Sequence, residues 1–128
     1  MTNCRSIADF GSGMPSDYVL ALDVGTSTVR CLITDPLGQP VSLSSQPWSY
    51  QTPEDLAPIG HEFQPEELWQ MLCQVIREAL AEAKIRPEQI RGISATSQRE
   101  GAVFLDKRGR SCMAAPIWIS GRFLKALL

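Results

Sequence analysis

This chain of 128 residues has one histidine and four cysteines, and no two cysteines stand in a Cys-x-x-Cys pair. Cys4, Cys31, Cys73 and Cys112 are too scattered, and His61 too isolated, to give the clustered ligand spacing of a structural zinc site. Thiols without partners suit a reducing compartment, so the expected location is cytoplasmic. Charge of one sign is scarce too. Twelve basic against fourteen acidic residues leave a net charge of −2, which argues against the clustered positive surface that nucleic acid requires. Lys107, Arg108 and Arg110 do cluster around Gly109, but in a pattern that reads as a solvated turn. No apolar run is long enough to cross a membrane. Residues 1–17, rich in Ser and Gly, lack the basic and apolar segments of a signal peptide and are expected to form a mobile tail. Two common phosphate-binding signatures are missing as well: there is no Gly-x-x-x-x-Gly-Lys-Ser/Thr loop and no Gly-x-Gly-x-x-Gly opening a helix.

What is present suffices for one domain with a core, since 44% of the residues are hydrophobic and 20% charged. The apolar run Tyr18–Leu22 predicts a strand covered on both faces. Val29–Thr34 alternates and predicts a second strand, antiparallel to the first because so few residues join them. Asp35-Pro36-Leu37-Gly38 places Asp, Pro and Gly at the favoured positions of a type I turn. A third strand within Val41–Tyr50 would complete a meander, with Pro47 marking an edge or an early end. The Pro-containing stretch Gln51–Gly60 reads as a surface loop. A helix then opens at Pro65 with Glu66 and Glu67 on the positive end of its dipole. Its stripe of Leu68, Leu72, Val75, Ile76, Ala79, Leu80 and Ala83 faces a core, and Lys84, Arg86 and Pro87 close it. Ile90–Ala95 reads as a strand parallel to an earlier one, reached by the helical crossover. Ala102–Asp106 and Cys112–Trp118 flank the basic turn as a hairpin.

Chemistry concentrates at two strand ends. Asp23-Val24-Gly25-Thr26-Ser27-Thr28-Val29-Arg30 follows the first strand, so Asp23 stands at a carboxyl end, where α/β proteins open their ligand crevices. Gly25 eases the turn, Thr26 and Ser27 offer hydroxyls and backbone N–H groups to phosphate oxygens, and Arg30 adds a permanent cation. Asp23 could hold a divalent ion. An ordinary hairpin would show the same eight residues. The later strand ends in Thr96-Ser97-Gln98-Arg99-Glu100-Gly101, where an amide, a guanidinium and a carboxylate could grip the hydroxyls of a polyol. The alternative there is a surface Arg–Glu pair.

Taken in order, Asp23-Val24-Gly25-Thr26-Ser27, the acidic loop and helix of Glu62–Leu80, and Thr96–Gly101 before Phe104-Leu105-Asp106 resemble the amino-terminal part of the FGGY carbohydrate kinases. The resemblance runs from about Tyr18 to Arg122. It implies an α/β domain of the ribonuclease-H-like, actin-like ATPase type, with a mixed sheet, an antiparallel β-meander and a crossover helix. It also implies ATP and Mg²⁺ as cofactors and a sugar or polyol as substrate. By position, Asp23 resembles the metal–phosphate carboxylate, and Gly25, Thr26, Ser27 and Arg30 resemble the turn and cation that approach the transferred phosphate. Gln98, Arg99 and Glu100 resemble the sugar-holding residues. Trp118 with Arg122 resembles a Trp-x-Asp-x-Arg element, although Ser120 replaces its Asp.

The 128 residues stop several-fold short of a complete family member. Residues 18–128 are therefore expected to be a partial amino-terminal kinase domain, without the second domain that brings the adenine site and the general base. Such a chain should have little or no kinase activity alone, and could self-associate or meet a complementary carboxyl-terminal kinase domain. The alternative is a non-catalytic sugar-binding or regulatory module.

Overall fold

The computed structural model describes residues 17–54, 57, 60–98, 101–112 and 115–117. Three antiparallel strands open it: β1 (Tyr18–Val24), β2 (Thr28–Thr34) and β3 (Pro40–Pro47). A three-residue strand β4 (His61–Phe63) leads into helix α1 (Pro65–Ala83). A single 3-10 turn at Pro87–Gln89 then feeds β5 (Ile90–Ser97), and β6 spans Ala115–Ile117. The main sheet has the order β3-β2-β1-β5, with β5 parallel to β1. The meander and the parallel strand after a crossover helix are both as expected, and Pro47 does close an edge strand.

The β2–β3 connection follows its turn chemistry. Gly38 N–H donates to the Asp35 carbonyl at 3.0 Å, and the Asp35 carboxylate accepts from the N–H groups of Leu37 and Gln39. Gly38 sits at φ 81°, a backbone conformation that costs a glycine little. The other end of the crossover was less legible. Lys84, a residue with a Cβ, takes the left-handed position that ends α1, and its N–H reaches back to the carbonyls of Ala81 and Leu80.

Pairing decides which residues share a face. Leu20 lies beside Ile33, Leu22 beside Cys31 and Val24 beside Val29. Leu20, Val29, Cys31 and Ile33 are each at most 2% exposed, and they form one core with Val75, Ala79 and Ile85. The helix stripe therefore packs as its spacing requires. Trp69, at its border, is two-thirds exposed. On β3 the residues facing the helix are polar, and each has a reason. Buried Ser42 donates to the Ala79 carbonyl at 2.8 Å, while Ser44 and Gln46 donate to the Glu78 carboxylate at 2.7 and 3.2 Å. These bonds satisfy hydroxyls that burial would otherwise penalise. The Ser44 bond first, then those from Gln74 and Gln46, hold the Glu78 carboxyl below its ordinary range.

Two expectations need correction. The apolar run of β1 is covered on one face only among the described residues. Helix α1 lies on β2 and β3 and shields Leu20 and Leu22, while Val19 on the other face is 42% exposed. The hairpin around Lys107–Arg110 forms, but with short arms, the last bond between them running from Cys112 N–H to the Phe104 carbonyl at 2.8 Å. Asp106 N–H donates to the Arg110 carbonyl and Leu105 bridges Ser111, but the following strand pairs elsewhere, Ala115–Ile117 lying antiparallel to His61–Phe63. Residues 1–16 lie outside the described residues. Asp17, the last of the expected tail, accepts from Arg91 at 2.6 Å.

Candidate functional site

Strand direction brings the chemistry to one end of the sheet. β1 and β3 run the same way, as their shared antiparallel neighbour β2 requires, and β5 runs parallel to β1. The carboxyl ends of all three lie together, with the Asp35–Gln39 turn at the opposite end. Asp23 pairs with Thr96 across β1 and β5, and Gln98 N–H donates to the Val24 carbonyl at 2.8 Å. The strand end carrying Asp23 and the strand end carrying Gln98 are thus neighbours on one rim, the arrangement a shared crevice needs.

The first turn is tight. Gly25 N–H donates to the Thr28 carbonyl at 3.0 Å, leaving Thr26 and Ser27 as the exposed tip. Gly25 is needed here for space rather than for an unusual φ. A Cβ on it would stand 3.2 Å from the Thr28 carbonyl oxygen, closer than most such contacts. Because the hairpin register sets Asp23 directly opposite Arg30, the two side chains meet as an ion pair, Arg30 Nη1 to Asp23 Oδ2, at 3.0 Å. Both are roughly half exposed (41% for Asp23, 51% for Arg30), so the pair adds little to stability and is free to exchange partners. A hairpin and a ligand turn are therefore compatible readings of the same residues.

The second turn begins at Gln98. Its side-chain Oε1 accepts from the Tyr50 hydroxyl. A Cβ on Gly101 would lie 3.6 Å from Gln98 Nε2 and 3.8 Å from the Phe63 ring, so Gly101, the Gln98 amide and β4 converge. Burial holds the Tyr50 phenol above its ordinary pKa, which keeps it a donor. Trp48 sits in the same group, its indole N–H donating to the Gly25 carbonyl at 2.9 Å and its ring edge-on to Tyr50 and Phe63, with centroids 5.0 and 5.7 Å away. Arg99, Glu100, Trp118, Ser120 and Arg122 lie outside the described residues. Of the expected sugar-facing set, Gln98 is the member whose surroundings are visible. Sequence reasoning passed over Trp48 and Tyr50. The available signal was a pair of aromatics two apart, just past a strand whose direction returns the chain to the Gly25 end.

Among the described residues no three His, Cys, Asp or Glu side chains gather as a metal cage. Mg²⁺ asks for less. It keeps several waters and is commonly held by one or two carboxylates together with substrate phosphates. The half-exposed Asp23, beside the exposed tip of Thr26 and Ser27, fits that mode. No helix among the described residues is long and apolar enough to cross a membrane.

Comparison with known proteins converges on one family. The model of the FGGY family of carbohydrate kinases, N-terminal domain, matches residues 18–126. The autoinducer-2 kinase of Yersinia enterocolitica is 35% identical over 112 residues, covering 88% of this chain and 20% of that protein. The autoinducer-2 kinase of Escherichia coli is 38% identical over 101 residues, 79% of this chain and 18% of that protein. Among solved structures, xylulose kinase from Rhodospirillum rubrum superposes with a TM-score of 0.69 at 23% identity, over 87% of this chain and 23% of that one. That likeness concerns the fold, which is the actin-like ATPase fold, present here in part. The chain spans about a fifth of the length of the curated relatives it matches.

Proposed function

This chain belongs to the FGGY family of carbohydrate kinases, and from that premise we propose that it forms one wall of a cleft in which the γ-phosphate of ATP passes to a sugar or polyol hydroxyl. The observation that carries the reading is the adjacency of the two strand ends, sealed by the bond from Gln98 N–H to the Val24 carbonyl. Asp23 is assigned to Mg²⁺, and Gly25, Thr26, Ser27 and Arg30 to the phosphates. Gln98, Arg99, Glu100 and Trp118 are assigned to the sugar hydroxyls. When bound, Mg²⁺ would neutralise charge on the transferring phosphoryl group, which is most of what such catalysis requires. Arg30 and Asp23 hold each other at 3.0 Å, and a phosphate–metal pair would offer each an opposite charge, leaving Asp23 to hold the metal and Arg30 the phosphate oxygens. The tip hydroxyls of Thr26 and Ser27 are exposed to receive them. Gln98, with Oε1 engaged by Tyr50, is left its Nε2 to donate to a hydroxyl. The compartment this reading implies is the cytoplasm.

Transfer also requires a base and closure over the reactants. Both are assigned to a carboxyl-terminal domain of the kind the longer relatives have room for, so these 128 residues alone should be nearly inactive. The test is ADP release from Mg·ATP with autoinducer-2, xylulose, glycerol or gluconate as acceptor. We expect negligible turnover by the chain alone and acceptor-dependent turnover once it is mixed with the separately produced remainder of the Escherichia coli autoinducer-2 kinase, everything beyond the 18% that this chain matches. Steady acceptor-dependent ADP formation by the chain alone would contradict the division of labour, and failure of Mg·ATP to bind it in any mixture would contradict the kinase reading.

A further inference from the structure

Of the three residues that follow β3, Trp48 touches the first turn of the site and Tyr50 the second. Trp48 backbone N–H donates to the Ser27 carbonyl at 3.0 Å, and its indole N–H donates to the Gly25 carbonyl at 2.9 Å. Two residues on, the Tyr50 hydroxyl donates to Gln98 Oε1. The rings of Trp48 and Tyr50 meet edge-on at 78°, and Phe63 closes on Trp48 at 87°. The segment is held from behind, because Gln51 and Glu62 exchange both backbone hydrogen bonds, at 2.8 and 2.9 Å. Apart from strand pairing and the single bond from Gln98 to Val24, this aromatic segment is the link that the described residues provide between the two turns.

We propose that Trp48–Tyr50 is a positioning strap that fixes the Gly25–Ser27 turn relative to Gln98, with Trp48 and Tyr50 as positioning residues for the reaction. The proposal rests on reading those turns as phosphate-facing and sugar-facing. In-line transfer is sensitive to the spacing of the two reactants, so a device that sets the spacing of their two seats has a direct use. Aromatic side chains suit the task, since each has two side-chain torsions and loses little freedom when held.

The experiment is amide hydrogen exchange on the unliganded chain. Gly25 N–H, bonded to Thr28, reports on the first turn, Gln98 N–H, bonded to Val24, reports on the second, and the β2 amides of Cys31 and Ile33 report on the core. Tyr50→Phe removes one oxygen and touches Gln98 directly. It should speed exchange at Gln98 and also at Gly25, by roughly fivefold, as expected for one lost hydrogen bond. Trp48→Phe should do the same in reverse, reaching Gln98 from Gly25, with Cys31 and Ile33 unchanged in both variants. An effect confined to the turn each variant touches, or an equal rise at all sites, would overturn the proposal. Should Trp48→Phe fail to fold, Tyr50→Phe decides alone. Because no ligand is used, a chain that never binds Mg·ATP but shows the cross-effect would retain the strap while losing the kinase reading.

Discussion

The two faces of the four-stranded sheet are built to different ends. On the helix side, Leu20, Val29, Cys31 and Ile33 are sealed against Val75 and Ala79. On the other side lie Asp23 and Arg30, both solvated, together with Val19 and Leu43, which are 42% and 58% exposed. One face holds the chain together, and the other, with the strand ends above it, stands open among the described residues and carries the residues proposed to bind. Stability and binding should therefore respond to different substitutions, although alternate residues of the same strands supply both.

The sharpest contrast is within the meander. Ile33→Ala, which empties a fully buried site, should lower unfolding free energy by about 3 kcal/mol, whereas Leu43→Ala on the open face should change it by less than about 0.5 kcal/mol, both measured by urea denaturation. Comparable losses would mean that the open face is covered in solution.

Next in size is a pH effect confined to the covered face. Burial pushes the Cys31 thiol from its ordinary value of 9.0 up to about 11. Below pH 9 folded and unfolded chains both keep that proton, and the full contribution to stability is present. As pH rises from 9 towards 11 the unfolded chain ionises first and stability falls. Denaturation midpoints across that interval should fall less steeply in Cys31→Ala, and an identical slope would place the thiol in contact with water.

At the rim, Gly25→Ala forces a Cβ to within 3.2 Å of the Thr28 carbonyl oxygen. It should cost about 1 kcal/mol and disturb the tip as well, so stability and Mg·ATP affinity should drop together. The smallest expected change in stability is for Asp23→Asn, within about 0.5 kcal/mol because the pair it breaks is solvated. Its Mg·ATP affinity should nevertheless fall by about tenfold or more, the scale of one lost charge-assisted contact. A large stability loss with unchanged affinity would make Asp23 a structural residue.

Much of this was readable from residue pattern. Alternation in Val29–Thr34 and the seven-residue stripe of α1 are long signals, each repeating its period several times, and they located β2 and the helix. The Asp23–Arg30 contact was readable too, once a two-residue tip is granted, because register then sets those residues opposite each other. Other features left no local trace. β4 and β6 are three residues each, and they find one another across more than fifty residues of chain, so no short window could pair them. Ser42 and Ser44 look like solvent positions until Glu78 and the Ala79 carbonyl are placed above them. Lys84 adopts a glycine-like conformation without being glycine. Tyr50 acquires its partner only because β3 and β5 end at the same rim, a consequence of topology that composition does not record.

Whether the Asp23 end of β1 and the Gln98 end of β5 face one ligand pair is measured directly by a paramagnetic metal. With Mn²⁺ replacing Mg²⁺ in a complex with a non-hydrolysable ATP analogue, amide signals of Gly25, Thr26 and Ser27 should broaden most and that of Gln98 next. The Leu37–Gly38 turn at the far end of the sheet should stay sharp. Broadening centred on that far turn, or sparing Gln98 while Gly25 disappears, would contradict the shared crevice.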